Sequence, residues 1–131
     1  MSVRDEVLDY LIAQRFKNFK VSKELPFQPN DTSLYLKNPK TIYVDAEQVT
    51  IEPFIKMFSK TIDQEITTVT VFLATDAKQL PQDYNSTVSL IKAAKEVIVG
   101  KYFIRETETS TEFETDLLIT SINIRLSRII T

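Results

Sequence analysis

Five acids crowd the C-terminal third of the chain: Glu106, Glu108, Glu112, Glu114 and Asp116. Carboxylates so spaced are the residue type for general acid–base work or for holding Mg²⁺ or Ca²⁺. They recur at period 2 on both sides of an expected hairpin turn. That puts several like charges on neighbouring strands, which is unfavourable in an isolated monomer. Three readings follow: a solvated polar hairpin tip, an acidic face that meets a basic face on a neighbouring subunit, or a metal or catalytic carboxylate cluster. No second polar motif converges with the acids from elsewhere. The natural basic counterpart is Arg15, Lys17, Lys20 and Lys23, interleaved with Phe16 and Phe19. Here a solvated face competes with a contact to acids across a subunit interface. It also competes with a thin nucleic-acid site whose aromatics stack on bases.

Composition bears on which reading survives. The 131 residues include no His, no Cys, no Trp and a single glycine. A His general base, a cysteine nucleophile and a thiolate or imidazole metal site are thereby excluded. A glycine-rich phosphate cradle needs several glycines within a few positions. Without His no Ser-based triad can be built, and nothing in the sequence presents a strained nucleophile turn for a Ser/Lys pair. The expectation is therefore a protein with no catalytic residues, no cofactor and no bound metal. A net charge of −2 and a pI near 5.2 argue against a general nucleic-acid binder. No apolar run approaches the roughly 20 residues of a membrane span. The opening Met1-Ser-Val-Arg-Asp-Glu-Val places acids where a signal peptide has basic and then apolar stretches.

The elements that must position these charges are readable from periodicity, and the length suits one domain over residues 1–131. Ser2 reads as a helix N-cap, with Asp5 and Glu6 in the first turn and Val3, Val7, Leu8, Leu11 and Ile12 at helical spacing over 3–15. Phe19, Val21, Leu25 and Phe27 alternate with polar residues and predict a first strand, closed by Pro26 and Pro29. A loop with a short extended piece follows over 28–40. Thr41–Glu52 and about Thr61–Thr75 read as two long strands, with the turn between them near Met57–Lys60. A second helix is expected over 84–99, its buried stripe Val88, Ile91, Ala94, Val97 and Ile98, with Gly100 at the C′ position. A closing hairpin runs Lys101–Thr109, a Thr/Ser/Glu turn, then Phe113–Ile129. The fold class is α+β: an antiparallel or mixed β-sheet with two helices packed on one face, in the order α-β-β-β-α-β-β.

That order resembles the tail terminator family of long-tailed bacteriophages, typified by the phage lambda terminator. The resemblance is carried by the amphipathic helix Ser2–Gln14 and the β pair ending Thr70-Val71-Phe72-Leu73-Ala74. It is also carried by the linker Gln79-Leu80-Pro81-Gln82-Asp83 into a single helix, and by the alternating last strand Leu118–Leu126. It covers almost the whole chain in layout. It implies a homo-oligomer, a hexameric ring that caps the tail-tube protein, stops its polymerisation and offers the docking surface for the head–tail connector or stopper protein. DNA would pass through the hole without specific binding, and a sheath protein would join where the tail is contractile. The setting implied is the virion tail or neck, assembled in the host cytoplasm. A head-completion or neck adaptor protein is the alternative within virions, and a carboxylate metal-dependent hydrolase the alternative outside them. No membrane partner is expected. In the ring reading, Glu106, Glu108, Glu112, Glu114 and Asp116 meet Arg15, Lys17, Lys20 and Lys23 of the next copy, a heterologous contact.

Overall fold

The computed structural model describes residues 2–17, 19–25, 40–76, 80–114 and 117–130. In chain order they form α1 (Val3–Ala13), β1 (Lys20–Val21), β2 (Thr41–Val44), β3 (Gln48–Lys56), β4 (Thr61–Asp76), α2 (Leu80–Lys95), β5 (Phe103–Glu114) and β6 (Leu117–Ile130). The class is α+β with a six-stranded mixed sheet. The order is α-β-β-β-β-α-β-β, one strand more than the sequence predicts. The extra strand arises because 41–52 is not continuous. The Asp45 carboxylate accepts the Ala46 N–H at 2.7 Å, so the backbone leaves the ladder at 45–47 before β3 resumes it.

β4 is the spine. β2 pairs antiparallel with its C-terminal half and β3 with its N-terminal half, along the same side. β6 pairs with β4 along the other side, from Asp63↔Ile130 to Asp76↔Leu117. β5 lies outside β6, and β1 lies outside β2 in parallel register. The two-residue β1 is far shorter than the strand expected from Phe19 to Phe27. Leu25 is exposed, and Phe27 and the 28–39 stretch lie outside the described residues.

Cross-strand pairing assigns side chains to faces. Val69, Val71 and Leu73 share one face with Ile42, Val44, Ile122, Ile124 and Leu126. Val3, Val7, Leu8 and Leu11 of α1 join this core, as do Leu90, Ala93 and Ala94 of α2. Both helices thus cover one face of the sheet. The opposite face carries Thr68, Thr70, Asn123 and Arg125, with Thr70 Oγ1 donating to Asn123 Oδ1 at 2.7 Å.

α1 begins as expected, with Ser2 Oγ accepting the Asp5 N–H. It stops at Ala13 rather than 15, because Arg15 takes a left-handed φ of 50°. Arg4 ties the helix to the sheet. Its guanidinium donates to the Val44 carbonyl at 3.0 and 3.1 Å and to the Lys23 carbonyl at 3.2 Å.

α2 runs four residues earlier than the predicted 84–99, and this changes two readings. The helix has already ended before 97–99, where Val97 and Val99 are buried and Ile98 is 77% exposed. Leu90, not Ile98, completes the buried stripe. Gly100 is not at the helix C′ position. It sits inside a turn closed by the Tyr102 N–H to the Val99 carbonyl at 2.9 Å, with φ of 43°. A Cβ at Gly100 would meet only Glu6 carboxylate oxygens at 3.7 and 3.9 Å, so space is available and conformation is the constraint. Gly100→Ala is expected to cost about 1 kcal/mol through the left-handed backbone alone. Equal urea midpoints for the two chains would contradict this.

Candidate assembly surfaces

β5 forms one border of the sheet, and among the described residues no strand pairs with its outer side. Its acids come from a strand that runs through Ser110, Thr111 and Glu112 as far as Glu114, so the turn expected at 110–112 is not there. Glu106, Glu108 and Glu112 all lie on the face turned away from the helices, opposite Arg125, Asn123 and Ile119. A bulge between Ile104 and Glu106 sets this register, bringing Glu106 and Arg125 to an ion pair of 2.7 Å. Glu108 and Glu112 stay exposed. Glu114 pairs through its backbone with Leu117, while its side chain and the whole of Asp116 lie outside the described part. Among the described residues no three acids gather closely enough to hold a metal ion.

The four bases do not form one patch. Arg15 and Lys17 line a cleft of about 440 Å³ between the end of α1 and α2, with Lys92, Asn85 and Ser89 across from them. Lys20 and Lys23 line a separate groove of about 410 Å³ along β1 and β2. The left-handed turn at Arg15 separates the two pairs, because it redirects the chain from the helix end towards the sheet edge. The strand order β1-β2-β4-β6-β5 sets Lys20 and the β5 acids at opposite borders of the sheet, whereas Arg15 and Lys17 lie in the helix layer between α1 and α2.

Two further features stand out, one of them at the 53–60 stretch that the resemblance leaves open between a β extension onto a neighbouring subunit and a surface loop. The first is the β3–β4 hairpin, which closes tightly at Met57 and Lys60: each backbone N–H reaches the other's carbonyl, at 2.7 and 3.3 Å. This is where the sequence placed the turn. Neither Phe58 nor Ser59 has a positive φ, which explains why no Gly or Asn marks it. The arm behind the turn exposes a run of apolar side chains. Val49, Ile51, Phe54, Ile55, Met57 and Phe58 are all exposed, Phe58 completely.

The second is a knot of side chains at the opposite side of β4. Tyr102 donates its hydroxyl to Glu65 Oε1, Arg128 donates to Glu65 Oε2 at 2.9 Å, and the Arg128 guanidinium lies over the Tyr102 ring at 5.1 Å. The Tyr102 and Arg128 hydrogen bonds, outweighing burial, hold the Glu65 carboxyl below its ordinary range. Burial and the Glu65 carboxylate together push the Tyr102 phenol up. The knot borders a cleft of about 450 Å³ with Lys101, Phe103, Ile129 and Ile130 on its walls.

Among the described residues no helix is long and apolar enough to cross a membrane. No protein-family model matches the chain, and no curated protein matches it.

Proposed function

We propose that this chain is a ring-forming virion protein, the tail terminator of a long-tailed bacteriophage. A ring, hexameric by the resemblance, would cap the tail-tube protein, halt its polymerisation and present the face to which the head–tail connector docks. The observation that carries the reading is the placement of charge. Glu108 and Glu112 are exposed on β5 at one border of the sheet, while Lys20 and Lys23 line the β1–β2 groove at the other. A self-complementary two-fold contact uses one patch, whereas two unlike patches on opposite flanks suit head-to-tail contacts that close into a ring. The sheet with both helices on one face is compatible with the layout of the terminator family. The mild net negative charge suits a channel through which DNA slides, because fixed Lys and Arg contacts to phosphate would retain it.

Light scattering on the purified chain and negative-stain imaging with purified tail tubes test the proposal. Rings in solution or on tube ends are expected, and a chain that stays monomeric and never binds tubes overturns it. Binding to heads rather than to tails would assign a neck adaptor instead. Glu108→Lys with Glu112→Lys is expected to weaken assembly about tenfold, as rim charges do, and 1 M salt should act alike by shrinking the screening length to about 3 Å. Unchanged assembly in the double variant would remove β5 from the interface.

A further inference from the structure

We propose that the apolar β3–β4 arm is an intersubunit hook whose tip, Phe58, seats in the Phe103–Ile129 cleft of a second copy of this chain. The proposal deepens the ring reading and rests on it for the head-to-tail geometry. Three observations carry it.

The first is exposure. Val49, Ile51, Phe54, Ile55, Met57 and Phe58 are all exposed along one hairpin, Phe58 completely, and among the described strands β3 pairs with β4 alone. Exposed apolar side chains gathered in this way mark an interaction surface, where single scattered ones do not.

The second is the acceptor. The cleft of about 450 Å³ is concave where the arm is convex, and Phe103, 74% exposed, and Ile129 give it apolar walls. Lys101 stands beside them, a cation suited to the arm's Glu52. The Tyr102–Glu65–Arg128 knot fixes one wall, so the cleft exists before anything enters it.

The third is direction. The arm projects from the β2–β3 side of β4, and the cleft lies on the β5–β6 side. Lys20 and Lys23 and the β5 acids are divided between the same two sides. One head-to-tail operation therefore brings arm to cleft and base to acid together. A tube subunit as occupant would leave the cleft with no counterpart.

The test uses two single variants, Phe58→Glu at the tip and Phe103→Glu in the cleft, with oligomeric state read by light scattering over a concentration series. Phe58 is fully exposed, so its replacement leaves the monomer fold intact, checked by an unchanged circular dichroism spectrum and melting curve. Each variant alone is expected to weaken self-association at least about 30-fold, the effect of removing a central aromatic anchor. Mixed together, the two should form heterodimers and nothing larger, since one intact arm can meet one intact cleft. Oligomers of wild-type size from either variant overturn the proposal. If they persist while tube binding is lost, the arm belongs to the tube contact and the ring reading stands without the hook. If wild type forms only dimers that Phe58→Glu dissolves, the hook stands and the ring reading falls. A wild-type chain monomeric at every concentration overturns both.

Discussion

Replacing Ile124 by Ala is expected to destabilise the fold by about 3–4 kcal/mol. Ile124 is fully buried at the middle of β6, beside Val69 of β4 on one side and Thr107 of β5 on the other, under the two helices. The substitution removes three carbons, worth about 0.8 kcal/mol each in lost transfer free energy. The cavity adds a further 1 kcal/mol or so, because long flanking strands hold the hole open. For a chain this long that corresponds to a melting point about 10–15 °C lower. The measurement belongs at high dilution, where assembly does not add its own stabilisation. Ile98→Ala is the matched control: the side chain is 77% exposed and the change should stay within about 0.5 kcal/mol. Comparable losses at the two positions would mean that the helices do not pack on the face carrying Ile124.

That face was legible because its signal is redundant. Val69, Val71 and Leu73 alternate with Thr68, Thr70 and Phe72, and Ile122, Ile124 and Leu126 alternate with polar residues. A one-residue slip in either strand would invert both patterns at once. The start of α1 was readable for a similar reason, since Ser2 with Asp5 and Glu6 is a local chemical signal, whereas α2 begins four residues before its expected start. Helix ends were not readable. α1 stops because Arg15 takes a left-handed conformation, and nothing in the residue type announces that. α2 stops at Lys95, and beyond it Val97 and Val99 are buried while Ile98 is exposed, although Val97 and Ile98 fit a helical stripe in the sequence. A lone glycine downstream invited the helix-cap reading, when its positive φ serves the turn into β5.

The charged residues were found from sequence, but their grouping needed topology. Four bases within one short stretch read as a single patch, and the turn at Arg15 divides them into two clefts. The acids read as a hairpin tip, yet the strand carries Glu106 and Glu108 well inside its length and ties Glu106 to Arg125. The apolar arm was visible in principle. Val49 and Ile51 alternate with Thr50 and Glu52 as in an ordinary half-covered strand, and the exposed run Phe54, Ile55, Met57 and Phe58 follows towards the turn. The Tyr102–Glu65–Arg128 knot carried no local signal, because its members stand far apart in sequence and meet only through strand register.

Removing the centre of that knot is the second large effect. At pH 7, Glu65→Ala is expected to cost about 1–2 kcal/mol: hydrogen bonds to a charged group count for more than neutral ones, while the half-exposed Arg128 is screened by water and contributes little. The sign of the pH dependence follows from the direction of each shift. Glu65 is lowered in the fold by the Tyr102 hydroxyl and then by Arg128, so its contribution is complete above the ordinary value of 4.5 and is lost as pH falls through the folded value. Tyr102 is raised, by burial first and then by Glu65, so its contribution is complete below its ordinary value of 10.0 and is lost as pH rises past it. The gap between wild type and Glu65→Ala should therefore be flat from about pH 5 to 9 and shrink in acid. Glu65→Gln keeps an acceptor for the Tyr102 hydroxyl and loses the ion pair, so it should fall between the two chains with no acid dependence at this site. Denaturant midpoints at pH 3, 5, 7 and 9 check the series. A gap of constant size from pH 7 to pH 3 would show that the Glu65 carboxylate carries none of the stability assigned to it. Because the knot walls the Phe103 cleft, the same substitution should loosen the surface on which assembly is proposed to depend.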